Sequence, residues 1–214
     1  MSKLRLSIAT SLDGFVAGPE QGEENPIGIG GDRLHEWLVP LRAFRQMHGE
    51  EGGEENASNA VVEEAFDNVG ATVMGRNMFG GGPGDWGDES WMGWWGEEPP
   101  FHHPVFVITH HSREPVEMRG GTTFHFVTDG IESALEQASA AAGGKDVSLG
   151  GGASVAQQYL AAGLLDEIEI SLVPVFLHAG ERLFANLDGA DIELEQVRIV
   201  EAPGVTHIKY RVVA

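Results

Sequence analysis

Polar and apolar positions alternate from Lys3 to Ser11, with Leu4, Leu6, Ile8 and then Leu12 as the inward set, and the run ends at Asp13-Gly14. That pattern predicts a first strand closed by a turn. The next stretch, FVAGPEQGEENPIGIGGD, holds five glycines and two prolines and reads as a long irregular loop that could line or cover a site. From Asp32, the spacing of Leu34, Trp37, Leu38, Leu41 and Phe44 predicts an amphipathic helix, which Pro40 should kink or split. The acidic run GEEGGEENASN reads as a solvated loop. A second helix with Val61, Val62, Ala65, Phe66 and Val69 inward should end at Gly70 and lead into a strand from Ala71 to Met74.

Pro104 to Thr109, PVFVIT, is apolar throughout, as in a parallel strand buried on both faces. Thr122 to Val127 predicts another strand, and Thr128-Asp129 a cap for a helix burying Ile131, Ala134, Leu135 and Ala138. Between Asp146 and Leu164 the order is strand, three glycines, then a helix with Val155, Ala156, Tyr159 and Leu160 on one face and Gly163 as its stop. Leu165 to Val175 is a strand interrupted late by Pro174, and LHAGERLF a loop. IELEQVRIV and VTHIKYRVV form a terminal antiparallel hairpin. The expected fold is one α/β domain over residues 1–214. It has three layers: a central mixed, mostly parallel sheet with a C-terminal antiparallel hairpin, and helices on both faces.

Composition narrows the function. The chain has 33 acidic against 13 basic residues, a formal charge of −20, so its field repels polyanions and nucleic-acid binding is not expected. No cysteine is present, which removes thiolate ligands and a cysteine nucleophile. MSKLRLSIATSLDG lacks an unbroken apolar stretch, so neither a signal peptide nor a membrane association is expected, and a cytoplasmic location follows by default.

In open α/β sheets, ligands bind beyond the carboxyl ends of the strands. Three such ends carry Gly75-Arg76, Thr109 to Ser112 and Gly150 to Gly152, and these can converge on one dinucleotide. The glycines permit a sharp turn and a close approach, and the helix N-terminus behind them favours an anion such as a pyrophosphate. The same glycines would equally serve tight packing of a helix on a sheet. Asp13 is read as fixing its own turn, and the tryptophan-rich segment from Gly82 to Phe101 as an ordered flap or an interface surface. Neither His102-His103 nor His110-His111 is expected to hold a metal, since successive strand side chains face opposite ways.

The segments SLDGFVAG, VMGRNMF, PVFVITHH, VSLGGGASVAQQYL and LLDEIEISLVPVFLHAGERLF occur in the order seen in the dihydrofolate-reductase-like superfamily. Across nearly its full length the chain resembles stand-alone members similar to the reductase domain of the riboflavin-biosynthesis deaminase/reductase. The resemblance implies NADPH as hydride donor and often a homodimer. By that likeness Gly75, Arg76 and Asn77 lie beside the adenosine phosphates, and Thr109, His110 and Ser112 near the ribose and its 2′-phosphate. Gly150, Gly151, Gly152, Ala153, Ser154 and Val155 hold the pyrophosphate, and Ala9 with Gly14, Phe15 and Val16 flanks the nicotinamide. Departures fall on the substrate side. The loop PIGIGGDRLHEWL lacks the Pro-Trp pair of folate reductases and leaves Asp32 and Glu36 as candidate proton relays. Phe15 and Leu149 replace the usual Lys and Glu of the riboflavin reductases, and Leu177-His178-Ala179-Gly180 replaces a Leu-Gly-x-Gly turn.

The expected function is an NADPH-dependent reduction of a small heteroaromatic or carbonyl-like molecule, pterin-like or aminopyrimidine-like. The alternatives are a nucleotide-binding protein without turnover, or 5-amino-6-(5-phosphoribosylamino)uracil reductase proper. Four tryptophans between Gly82 and Phe101 are hard to bury in one core, so that segment or the apolar faces of the late strands should contribute to a homodimer interface.

Overall fold

The computed structural model describes every residue except Met1, Glu23, Pro83, Asp88, Glu89, Asp188 and Ala214. Its strands are β1 (Leu4–Ser11), β2 (Phe15–Ala17), β3 (Val69–Gly75), β4 (Pro104–Ile108), β5 (Val116–Glu117), β6 (Thr123–Val127), β7 (Asp146–Gly151), β8 (Glu167–Val173), β9 (Glu181–Arg182), β10 (Glu193–Ala202) and β11 (Val205–Val213). The helices are α1 (Arg42–Met47), α2 (Ala57–Phe66), α3 (Arg76–Phe79), α4 (Ile131–Ala141) and α5 (Ala153–Ala161).

Nine strands make the main sheet in the order β10-β11-β8-β1-β7-β3-β4-β6-β5. Neighbours from β8 to β6 are parallel, while β11 and β10 at one edge and β5 at the other are antiparallel. The sheet is thus mixed and mostly parallel, as the runs of apolar residues predict.

Alternation along the strands sends side chains to two cores. On one face Leu4, Leu6, Val73, Val147 and Leu149 pack against Ala134 and Ala138 of α4 and Val155, Ala156, Tyr159 and Leu160 of α5. On the other, Met74, Val105, Val107 and Phe124 meet Phe79 and Trp86, and Ala9, Val173 and Val205 meet Leu34. This second face also holds a buried polar group. His207 is 1% exposed and lies between the hydroxyls of Ser58 (Nε2 to Oγ, 2.8 Å) and Ser171 (Nδ1 to Oγ, 2.9 Å). Burial, with Arg198 nearby, pushes its pKa down to about 4.

Several boundaries differ from the pattern-based expectations. The helix expected from Asp32 is instead a 3-10 turn, Gly31–Leu34, followed by turns and then α1. Pro40 has no N–H to continue a helix, and its carbonyl accepts from Glu54 N–H at 2.8 Å instead. Helix α2 ends at Phe66, half-exposed, because Asn68 takes a left-handed φ of 56° and turns the chain into β3. Gly70 therefore belongs to a strand rather than a helix stop. A Cβ there would sit 2.4 Å from the Ala142 carbonyl oxygen, so the strand reaches the end of α4 only without one. The cap of α4 is Gly130, with no side-chain cap bond, and not Thr128-Asp129. A small second sheet pairs β2 with β9, although both lie in segments whose composition predicts loops. The tryptophan-rich segment does find a core: Trp86 is 8% exposed, and Trp91 and Trp95 pack beside it with Phe101.

Candidate functional site

A cleft of about 640 Å³ opens over the carboxyl ends of the parallel strands. Ile8 of β1, Gly75 of β3, Ile108 of β4 and Gly150 and Gly151 of β7 form its floor, with Thr128 just past β6. The volume lies within the range of about 300 to 1,000 Å³ usual for ligand and cofactor sites.

The glycine turn divides this floor. β7 runs through Gly150 and Gly151, the Gly151–Gly152 peptide is cis, and α5 begins at Ala153. Gly151 has φ 121°, which side-chain-bearing residues rarely adopt. Gly152 is different: its φ of −83° and ψ of −163° suit any residue, and a Cβ added to it would meet nothing among the described residues within 4 Å. Its missing side chain leaves open cleft rather than room for another part of the protein. No side chain caps the N-terminus of α5, so its first-turn N–H groups are presented to the cleft where a phosphate would be favoured.

Beside the turn, Arg76 crosses the cleft wall. Its guanidinium lies 3.3 Å from the centroid of the Trp86 ring, and Nη1 donates to Gly84 O (2.9 Å) and Thr109 Oγ1 (3.4 Å), while Nη2 donates to Gly81 O (3.3 Å). Burial and the neighbouring Arg113 lower its pKa, with Asp85 opposing them. Nε is buried without a partner among the described residues. Arg76 thus holds the flap in place and still faces the cleft. His110 and His111 line the same end, His111 paired through Nδ1 with Asp85 at 2.7 Å.

The opposite end, over β1, is formed by Ile8, Val16, Ala17, Pro26, Ile27 and His35, with Gln21 and Glu181 beside them. The His35 backbone is fixed in the turn by its N–H to Asp32 O (2.9 Å) and by Leu38 N–H to its carbonyl (2.9 Å). Burial lowers its pKa, against the Gly31 carbonyl and Asp32, which favour the charged form. Its Nδ1 is sealed from water and has no partner in hydrogen-bonding geometry.

Of the residues singled out in the sequence, Val16, Gly75, Arg76, Asn77, Thr109, His110 and Gly150 to Val155 line this one cleft. Ala9, Gly14, Phe15 and Ser112 are not in its lining. Ala9 faces the opposite side of β1 in the core with Leu34, and Phe15 is buried with the Arg182 guanidinium 4.4 Å from its ring centroid. Asp32 and Glu36 are exposed and lie outside the lining, since the turn that replaces the expected helix aims His35 inward instead. Asp13 accepts from Ser11 Oγ (2.6 Å), Leu177 N–H (3.2 Å) and His178 N–H (2.8 Å), and ties the first turn to the 177–178 segment. Although loss of water raises its pKa, these bonds outweigh it and bring the value to about 2. His35, Gln21, Glu181 and Trp94 were missed: His35, Gln21 and Trp94 sit on irregular backbone, and Glu181 on a two-residue strand too short to show a period.

The family model of the RibD C-terminal domain matches residues 2–208. The chain belongs to that family. No curated protein sequence matches it. Among solved structures it is similar to a putative riboflavin biosynthesis protein from Shewanella sp. PV-4, with 20% identity, a TM-score of 0.67 and 99% of each chain covered. It is also similar to the diaminohydroxyphosphoribosylaminopyrimidine deaminase/5-amino-6-(5-phosphoribosylamino)uracil reductase of Thermotoga maritima. There the identity is 13% and the TM-score 0.56, with 99% of this chain covering 57% of that one. Dihydrofolate reductase from Enterococcus faecalis, complexed with NADP(H) and RAB-propyl, matches at 13% identity and a TM-score of 0.51, over 98% and 96% of the two chains. The fold is therefore dihydrofolate-reductase-like, and the family is one of reductase domains. Among the described residues no helix is long and apolar enough to cross a membrane.

Proposed function

We propose that the protein is an NADPH-dependent reductase of a small heteroaromatic or carbonyl-like molecule. The observation that carries this is the Gly150 to Val155 turn, which opens the cleft floor in front of an uncapped helix N-terminus, with Arg76 and Thr109 on one side and an apolar end over β1 on the other. Those residues fit a dinucleotide: the N-terminus of α5 suits its pyrophosphate, and Arg76 suits a further phosphate at the adenosine end. NADPH, when bound, supplies the hydride. The chain orients it and, through Ile8, Val16 and Ile27, keeps water from the reacting end. Family membership supports the same reading, with 5-amino-6-(5-phosphoribosylamino)uracil reduction as the narrower alternative. We further propose a homodimer, now through β10, whose Leu194, Val197 and Ile199 are 38%, 51% and 54% exposed.

Titration with NADPH and NADH tests the cofactor. NADPH should bind tighter, and Arg76→Ala should weaken NADPH by roughly ten- to a hundredfold, the worth of one charge-assisted contact of about 1.5 to 3 kcal/mol, with little change for NADH. Because Arg76 also holds the flap, melting curves accompany each titration. Equal constants for the two cofactors in the unmodified protein would remove the NADPH assignment.

A further inference from the structure

The substrate end of the cleft has a chemistry that the relatives' names do not foretell. A phosphate taken into a cleft loses its water and must be paired with a cation or with a set of N–H donors, and the donors of the α5 N-terminus are those the cofactor's pyrophosphate would take. Arg76 is the one Lys or Arg in the cleft lining, and it stands at the glycine-turn end, engaged with Gly84, Gly81, Thr109 and Trp86. None of the residues outside the description is Lys or Arg. The two cations nearest in sequence to the β1 end are turned elsewhere: Arg33 Nη1 donates to Phe176 O at 3.1 Å, and Arg182 lies over Phe15 and donates to Asp13 O at 3.0 Å. The acidic side chain in the lining of that end is Glu181, within a chain of formal charge −20. Both oppose an anion.

What that end offers instead is an apolar wall and one imidazole. Nδ1 of His35 is sealed without a hydrogen-bond partner among the described residues, and the ring proton is assigned to it rather than to Nε2 because the Gly31 carbonyl favours a proton on the ring and Nε2 is the nitrogen left for the cleft. Nε2 is then left as an acceptor without a partner among the described residues, on a residue that lines the cleft.

Resting on the reductase reading above, we propose that the molecule reduced by this protein is uncharged and unphosphorylated, a planar compound that donates a hydrogen bond to His35 Nε2 while its faces pack on Ile8, Val16 and Ile27. His35 is accordingly the specificity-determining residue of the substrate end. On this reading the phosphoribosyl compound named for the Thermotoga relative is the poorer ligand, because the β1 end has no Lys or Arg in its lining to meet its phosphate.

The test uses 6-aminouracil, which is planar, uncharged and rich in N–H donors, and 5-amino-6-(5-phosphoribosylamino)uracil, with the same kind of ring and a phosphate. Each is titrated into the protein with and without NADPH while the histidine ring resonances are followed. 6-Aminouracil should shift the His35 ring signals, and the phosphorylated compound should bind about tenfold or more weaker. His35→Phe should lose the 6-aminouracil response and keep the parent's NADPH affinity. His35→Gln, which restores an acceptor, should recover part of it, and both variants should melt near the parent. Tighter binding of the phosphorylated compound, or an unchanged 6-aminouracil affinity in His35→Phe, overturns the proposal. Failure of the parent to bind NADPH would instead remove the reductase reading, a separate result that the titrations without NADPH keep apart.

Discussion

Replacing Gly152 by valine separates the two roles a glycine turn can play. Gly152 has dihedrals open to any residue, and a Cβ there would meet no atom of the described residues within 4 Å, so the folded chain accommodates the change. The stability cost should resemble that of a surface substitution, about 0.5 kcal/mol in either direction. The added side chain enters the cleft in front of the first-turn N–H groups of α5. A phosphate held by two of them would lose about 3 to 6 kcal/mol, since hydrogen bonds to a charged group contribute about 1.5 to 3 kcal/mol each. That is a loss of roughly a hundredfold or more in affinity. Gly151→Val makes the opposite contrast, because φ 121° strains any side-chain-bearing residue and should lower the melting temperature whatever the cofactor does. NADPH titration and thermal melting on the same preparations supply both readouts. A Gly152→Val protein that melts early yet keeps the parent's NADPH affinity would refute the pyrophosphate assignment and leave helix packing as the reason for the glycines.

Two further outcomes are expected. His207 titrates near 6.5 when unfolded and about 4 when folded, so the unfolded chain takes up its proton first as pH falls. Its contribution is therefore intact above pH 6.5 and shrinks toward pH 4 by about 3 kcal/mol, and His103, lowered to about 4 by burial, acts in the same window. Chemical denaturation at pH 7.5, 5.5 and 4.5 should show this decline, with a shallower slope in His207→Gln; equal slopes in the two proteins would show that His207 is not its source. Light scattering at micromolar concentration should give the mass of a dimer that Ile199→Glu on β10 shifts toward monomer, whereas a monomeric parent would contradict the interface.

What the sequence reveals follows from how each element is stabilised. PVFVI was legible as β4 because a parallel strand covered on both faces is apolar throughout, and the terminal hairpin because Pro203-Gly204 turns two alternating runs back on each other. β2 and β9 left no such mark: three residues and two residues pair across more than 160 positions, and a period cannot show in so short a run. The glycine turn was legible because its chemistry is local. The place of His35 in the cleft lining was not, since it depends on the turn that replaces the helix expected to give Asp32 and Glu36 a regular face. The destination of the tryptophans was hidden for a similar reason, as Trp86 is buried by Phe79, Phe126 and the Arg76 guanidinium, brought from separate elements.

A crystal structure of the protein soaked with NADPH tests the central claim most directly. The account predicts the pyrophosphate against the N-terminus of α5 at Gly152 to Ser154, the adenosine end beside Arg76 and Thr109, and the nicotinamide over Ile8, with the space before His35 left open for the substrate. An empty cleft at saturating NADPH, or a cofactor seated elsewhere on the chain, would contradict it.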